Sequence, residues 1–213
     1  MLNLNLANTV NRVLCLGAHS DDIEIGCGGT ILKLIRQNPK LEFYWVVFSG
    51  NAERALEARA SAERFLEGAA SNRIVTLDFQ DTLFPTQFAA LKDAFATISR
   101  EFTPELIFTL YREDRHQDHR TLSDLTWNAF RDHAILEYEI PKFDGDLGQP
   151  NVFVELPDEI ATRKIDLLIS CFGSQRSKHW FSPDTFSGLM RLRGLESATR
   201  HAEGFHARKL RVL

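Results

Sequence analysis

The chain has 213 residues, 44% apolar and 25% charged, and its 25 Lys and Arg against 29 Asp and Glu leave a formal net charge of −4. That is ordinary for a soluble globular protein long enough to bury a full core. With no dense Lys/Arg run, the negative balance speaks against nucleic acid as a partner.

There are three cysteines, Cys15, Cys27 and Cys171, an odd number with no CxxC pair, as expected of a reduced protein. The opening "MLNLNLANTVNR" carries neither the basic segment nor the long apolar run of a signal peptide. No apolar run approaches the roughly 20 residues of a membrane span. A soluble cytoplasmic protein is therefore expected.

In chain order, "RVLCLG" (Arg12–Gly17) is an apolar run closed by glycine and reads as a buried strand. "GTILKLIRQN" follows as a helix, and "LEFYWVVFSG" (41–50), rich in aromatic and β-branched residues, as a second strand. "AERALEARASAERFLEGAA" has helical composition, and "RIVTLDF" is a third strand. Phe88, Leu91, Phe95, Ile98 and Phe102 then recur at three- and four-residue steps, which predicts an amphipathic helix ended by Pro104. "ELIFTLY" is a fourth strand, with a helix from about 120 to 133 behind it. Such alternation predicts a Rossmann-like α/β fold, a mostly parallel sheet with helices on both faces. Beyond Ala134 the pattern loosens. "ILEYEIP" and "VFVEL" read as strands flanking the loop "KFDGDLGQPN", helices follow at about 158–172 and 183–195, and "LRVL" is a candidate last strand. With no repeat or Pro/Ser linker, residues 1–213 are read as one domain with an elaborated C-terminal third.

Open parallel sheets bind ligands where their strands end. "AHSDD" stands there after the first strand and "YREDRHQDH" (111–119) after the fourth, the two places where His and Asp crowd together. Adjacent carboxylates repel, so something should neutralise or use Asp21 and Asp22. Imidazole and carboxylate together suit zinc, and a catalytic zinc commonly takes three protein ligands. Two histidines and one aspartate meet that count and leave one aspartate as a base. An Asp-Asp pair also serves as a helix cap or solvated turn, but both clusters at carboxyl edges favour function. Gly26, Gly28 and Gly29 miss the dinucleotide spacing G-x-G-x-x-G, since Ile31 stands at its last position; they are expected to let the loop fold back at the start of a helix.

"GAHSDDIEIGCGGT" (17–30) resembles the first signature of the PIG-L (LmbE-like) zinc-dependent de-N-acetylases, and "DRHQDH" resembles the second. "LDFQD" and "AEGFHARK" resemble weaker signatures. Ser20 and Gln117 replace the usual prolines, and the acidic residue of the first signature comes one place late, at Glu24. The resemblance implies zinc on His19, Asp22 and His119, with Asp21 as general base. It implies His116 as stabiliser of the tetrahedral intermediate or proton donor, oriented by Asp118. Arg59 and Asp81 would hold sugar hydroxyls, with Asp114 bordering the same pocket. The implied substrate is a small N-acetylated amino sugar or glycoconjugate of the N-acetylglucosamine type, cleaved to acetate and an amine. Another metallohydrolase acting on a phosphoester or non-sugar amide, or a sugar or nucleotide binder without catalysis, are the rival readings. Homo-oligomerisation is left open, as is the role of Trp180, Phe181 and Phe186, sugar platform or core.

Overall fold

A computed structural model gives the fold, and the structure describes residues 3–211. Strands β1 (Arg12–Gly17), β2 (Glu42–Ser49), β3 (Ser71–Phe79), β4 (Leu106–Leu110), β5 (Ala134–Tyr138), β6 (Val152–Leu156) and β7 (His201–His206) form one sheet, in the order β3-β2-β1-β4-β5-β7-β6. The first five run parallel, and β7 lies antiparallel between β5 and β6. β1 and β4 are buried almost throughout, as their apolar runs require of strands covered on both faces.

The helices are α1 (Asp22–Gln37), α2 (Ala52–Phe65), α3 (Phe88–Glu101), α4 (Gln117–Ala129), α5 (Asp158–Cys171) and α6 (Pro183–Glu196). The chain winds outward through β1, β2 and β3, then returns to place β4 on the other side of β1. Right-handed crossovers then set α1 and α2 on one face and α3 and α4 on the other. α5 packs on the α1–α2 face. Reversal at the β1/β4 pair makes a topological switch point, where the loops after β1 and β4 diverge to leave a crevice.

Several elements differ from the sequence expectation. α1 starts at Asp22, so the glycines lie inside a helix rather than in a loop. Tertiary contacts demand them: a Cβ on Gly26 would sit 2.0 Å from the Tyr138 ring, and one on Gly28 2.6 Å from Phe65. α2 ends at Phe65, short of the helical composition, and α4 starts at Gln117, inside the second motif. β7 was read only as a family-like signature, not as a strand. It is fixed by Glu203, whose carboxylate accepts from the Gly29 and Thr30 N–H groups and pairs with the buried Lys164 ammonium at 2.6 Å. Leu210 and Arg211 are not in a strand, and the rest of "LRVL" lies outside the described residues. Among the described residues no helix is long and apolar enough to cross a membrane.

Candidate active site

The β1–α1 turn carries His19, Ser20, Asp21 and Asp22, and the β4–α4 loop carries Asp114, His116, Asp118 and His119. Although 100 residues apart, His19 Nδ1 and His119 Nε2 lie 3.0 Å from each other. Asp22 joins them, with Oδ2 3.4 Å from His19 Nδ1 and Oδ1 3.6 Å from His119 Nε2. Donor atoms about 2.0–2.2 Å from a tetrahedral zinc stand roughly 3.3–3.6 Å apart; the Asp22 contacts fall in that range, each through a different oxygen, and the two ring nitrogens stand somewhat closer. The ring nitrogens of His19, His116 and His119 also fall within 4.8 Å of one another, and so do donors of His19, Asp81, His116 and Asp118. Both of these sets contain His19 and His116.

Each ring nitrogen facing away from that centre meets a carboxylate. His119 Nδ1 is 2.9 Å from Asp114 Oδ2, and Asp114 is itself buried, bound by the Lys142 ammonium at 2.7 Å and the His116 N–H at 2.7 Å. His19 Nε2 lies 3.0 Å from Asp81 Oδ1 and 3.4 Å from Asp118 Oδ2. A carboxylate on the outer nitrogen fixes the tautomer and leaves the inner lone pair for a cation. Burial works against charge on His19, but the Asp22 carboxylate, then Asp118 and Asp81, raise its pKa well above the usual value. Burial also works against charge on Asp22, yet the two histidines hold its carboxyl below the usual range. Asp22 is thus ionised, as a ligand must be.

Asp21 is the opposite case. It is 5% exposed, and burial pushes its carboxyl up, partly countered by the Arg54 guanidinium and reinforced by Asp22. Arg54 Nη2 donates to Oδ1 at 2.8 Å, while the buried Oδ2 has no hydrogen-bond partner. A buried, unpartnered carboxylate oxygen beside a cluster of metal-type donors needs an explanation, and a proton-accepting role supplies one. Glu24, in the first turn of α1, is fully buried with neither carboxyl oxygen hydrogen-bonded, and burial pushes its carboxyl up to about 8.

A cleft of about 670 Å³ opens over these residues, lined on one side by Asp78 to Thr82 and on others by Arg54, Lys142, Lys178 and Trp180. Three sequence assignments change here. Arg59 is exposed and donates to Ile74 O, away from the cleft; Arg54 from the first turn of α2 lines it instead. Asp118 does not orient His116. Its carboxylate accepts from Thr82 N and Phe84 N and meets His19, while only its backbone N–H reaches His116 Nδ1. Asp114 supports His119 from behind rather than lining the cleft. Asp81 does line it, and His116, at the N-cap of α4, faces it. Phe181 and Phe186 are core, whereas Trp180 reaches the cleft. Arg54 and Lys142, which line the cleft, were missed. Arg54 follows Gly50 closely, and only the first turn of a helix leaving the carboxyl edge reaches the site, a signal present in the sequence.

The family model described as PIG-L, GlcNAc-PI de-N-acetylase, matches residues 14–130. The uncharacterized deacetylase YaiS of Escherichia coli (strain K12) is 28% identical over 173 residues, 78% of this chain and 92% of that one. The N,N'-diacetylchitobiose deacetylase of Pyrococcus horikoshii superposes with a TM-score of 0.73 at 21% identity, over 94% of this chain and 84% of that one. GalB, the 4-carboxy-2-hydroxymuconate hydratase of Pseudomonas putida KT2440, superposes with a TM-score of 0.74 at 18% identity, over 95% and 98%.

Proposed function

The chain belongs to the PIG-L family of de-N-acetylases, and from that premise we propose that it is a zinc-dependent hydrolase removing the N-acetyl group from an N-acetylglucosamine-type amino sugar or its conjugate. The observation that carries this reading is the unpartnered Asp21 Oδ2, buried beside the His19–Asp22–His119 donor set at the floor of the cleft. YaiS is named a deacetylase and the Pyrococcus protein deacetylates a chitobiose derivative, which supports the reaction class. The borderline donor set of two imidazoles and one carboxylate suits zinc. Held by His19, Asp22 and His119, the ion supplies Lewis acidity toward the carbonyl oxygen and eases deprotonation of water.

The chain's own groups do the rest. Asp21 Oδ2 accepts the proton of the attacking water, and Arg54 keeps the Asp21 carboxyl oriented through Oδ1. His116 Nδ1 accepts from the Asp118 N–H, so the proton of the neutral ring sits on Nε2. Burial and the neighbouring His119 and His19 charges lower the His116 pKa. Through Nε2, His116 is placed to donate to the developing oxyanion, and Asp21 returns its proton to the departing amine. Arg54 and Asp81, which both line the cleft, are the candidates for sugar hydroxyls.

The fold alone does not select this chemistry, since a hydratase shares it. A panel of N-acetylated sugars, phosphoesters and non-sugar amides, followed by mass detection of products with zinc present, tests the assignment. Acetate and free amine should come from the amino sugars; turnover confined to the phosphoesters or other amides moves the chain to a different hydrolase.

A further inference from the structure

One carboxylate of the site stands on neither of the two His/Asp loops. Asp81 belongs to the connection between β3 and α3, residues 80–87, yet its Oδ1 lies 3.0 Å from His19 Nε2 while the residue is exposed and lines the cleft. An exposed side chain on a connecting loop keeps its rotamer freedom, so burial does not hold it there. The backbone beside it does. Thr82 has a φ of +67°, in the left-handed region, one of two non-glycine residues to do so among those described. For a β-branched residue that conformation is strained and persists only where the surroundings impose it.

Here the surroundings are two adjacent residues of the first turn of α4. Asp118 Oδ2 accepts from the Thr82 N–H at 2.7 Å, and Gln117 Nε2 donates to the Thr82 carbonyl at 2.9 Å. Both polar backbone groups of Thr82 are thus gripped by α4, two residues before it delivers His119 to the donor set. The far end of the connection is closed by Gln87, whose amide pairs with the Gln80 N–H and carbonyl at 3.2 and 3.0 Å. Asp118 also receives the Phe84 N–H and meets His19, whereas the Gln117 side chain has its bond to Thr82 alone among the described residues. The helix does not need that side chain: Gln117 is the first residue of α4, where the backbone N–H has no intrahelical acceptor to lose.

We propose that Gln117 is a positioning residue. With Asp118 it clamps Thr82 in the left-handed conformation, and so keeps the Asp81 carboxylate against His19 and on the cleft wall; this rests on the roles given to Asp81 and His19 above.

Two neutral substitutions remove the donor and spare the helix. Gln117→Met keeps the length and the helix propensity. Gln117→Pro suits a first helical position, and His116, at φ −70° and ψ 123°, already has the backbone that a residue before proline requires. Both should melt close to the wild type. In zinc competition with a chromophoric chelator, Asp81→Asn should weaken binding about tenfold, the lower end for a carboxylate behind a metal-binding histidine, and each Gln117 variant about threefold. Either Gln117 change made in the Asp81→Asn background should cost nothing more, since it acts only through Asp81. With N-acetylglucosamine and its methyl glycoside at saturating zinc, KM should rise about fivefold in the Gln117 variants, the scale of one neutral hydrogen bond, with kcat within about twofold, and that rise too should vanish in the Asp81→Asn background. Additive losses in the double variants, wild-type zinc affinity and KM in both folded Gln117 variants, or wild-type values in Asp81→Asn overturn the proposal. Acetate from neither sugar with the wild type overturns the deacetylase reading instead, and the zinc cycle still decides the clamp without turnover.

Discussion

Replacing Asp114 by Asn changes no reacting group, yet it should weaken the metal site. The Asp114 carboxylate is 2% exposed and serves three donors: His119 Nδ1 at 2.9 Å, Lys142 Nζ at 2.7 Å and the His116 N–H at 2.7 Å. An amide of the same shape has one accepting oxygen. If that oxygen keeps His119 and Lys142, its NH2 points at the His116 N–H; if it keeps His116, the NH2 points at the other two. Either way a buried donor loses its acceptor, at about 1–3 kcal/mol, and His119 loses the anion that raises its basicity. Loss of such a supporting carboxylate typically costs about 10–100-fold in metal affinity. Zinc affinity, measured by competition with a chromophoric chelator, should fall by that factor in Asp114→Asn, while saturating zinc restores most of kcat. Arg59→Gln, an exposed change outside the cleft, is the control and should stay within about twofold of the wild type. Wild-type zinc affinity in a folded Asp114→Asn would mean that His119 does not bind the metal through Nε2.

Two further outcomes follow from the same geometry. Asp21 must be ionised to act as a base, so activity falls as pH drops through its pKa, which burial raises and Arg54 lowers; Arg54→Gln should therefore move the acid limb of kcat/KM to higher pH, and a limb that stays or moves down separates the limb from Asp21. Gly26 and Gly188 are both helical, but a Cβ meets the Tyr138 ring at 2.0 Å in the first case and nothing within 4 Å in the second. Gly188→Ala should gain up to about 1 kcal/mol, or roughly 2–4 °C in Tm, and Gly26→Ala should lose about 1–3 kcal/mol by overpacking; shifts of the same sign in thermal melts would show the packing account to be wrong.

The parallel half of the fold was legible because its strands are continuous apolar runs closed by turn residues, and the two motifs fell where those runs end. The start of α1 was not. Its glycines read as breakers, and the Tyr138 and Phe65 rings that require them stand on distant elements. β7 was hidden for a similar reason: "HAEGFH" has little strand propensity, and Glu203 belongs in a strand only because Lys164 and the α1 backbone await it. Arg59 and Arg54 illustrate a limit of motif matching. Composition does not distinguish them, but five residues of helix carry Arg59 about 7.5 Å further from the carboxyl edge and onto another side of α2. Asp81, Asp114 and Asp118 were picked out in the sequence for other roles; that they serve the His19 and His119 rings depends on the meeting of two loops that chain order does not specify.

The central claim is that the adjacent aspartates divide the work, Asp22 binding the metal and Asp21 taking the proton. Zinc content and acetate release measured on the same preparations of wild type, Asp21→Asn and Asp22→Asn test it most directly. Wild type should hold about one zinc and release acetate; Asp22→Asn should lose both. Asp21→Asn should keep the metal while kcat falls by roughly 10²–10⁴, with KM little changed. Loss of zinc from Asp21→Asn with retention in Asp22→Asn, or wild-type kcat in Asp21→Asn, contradicts the account.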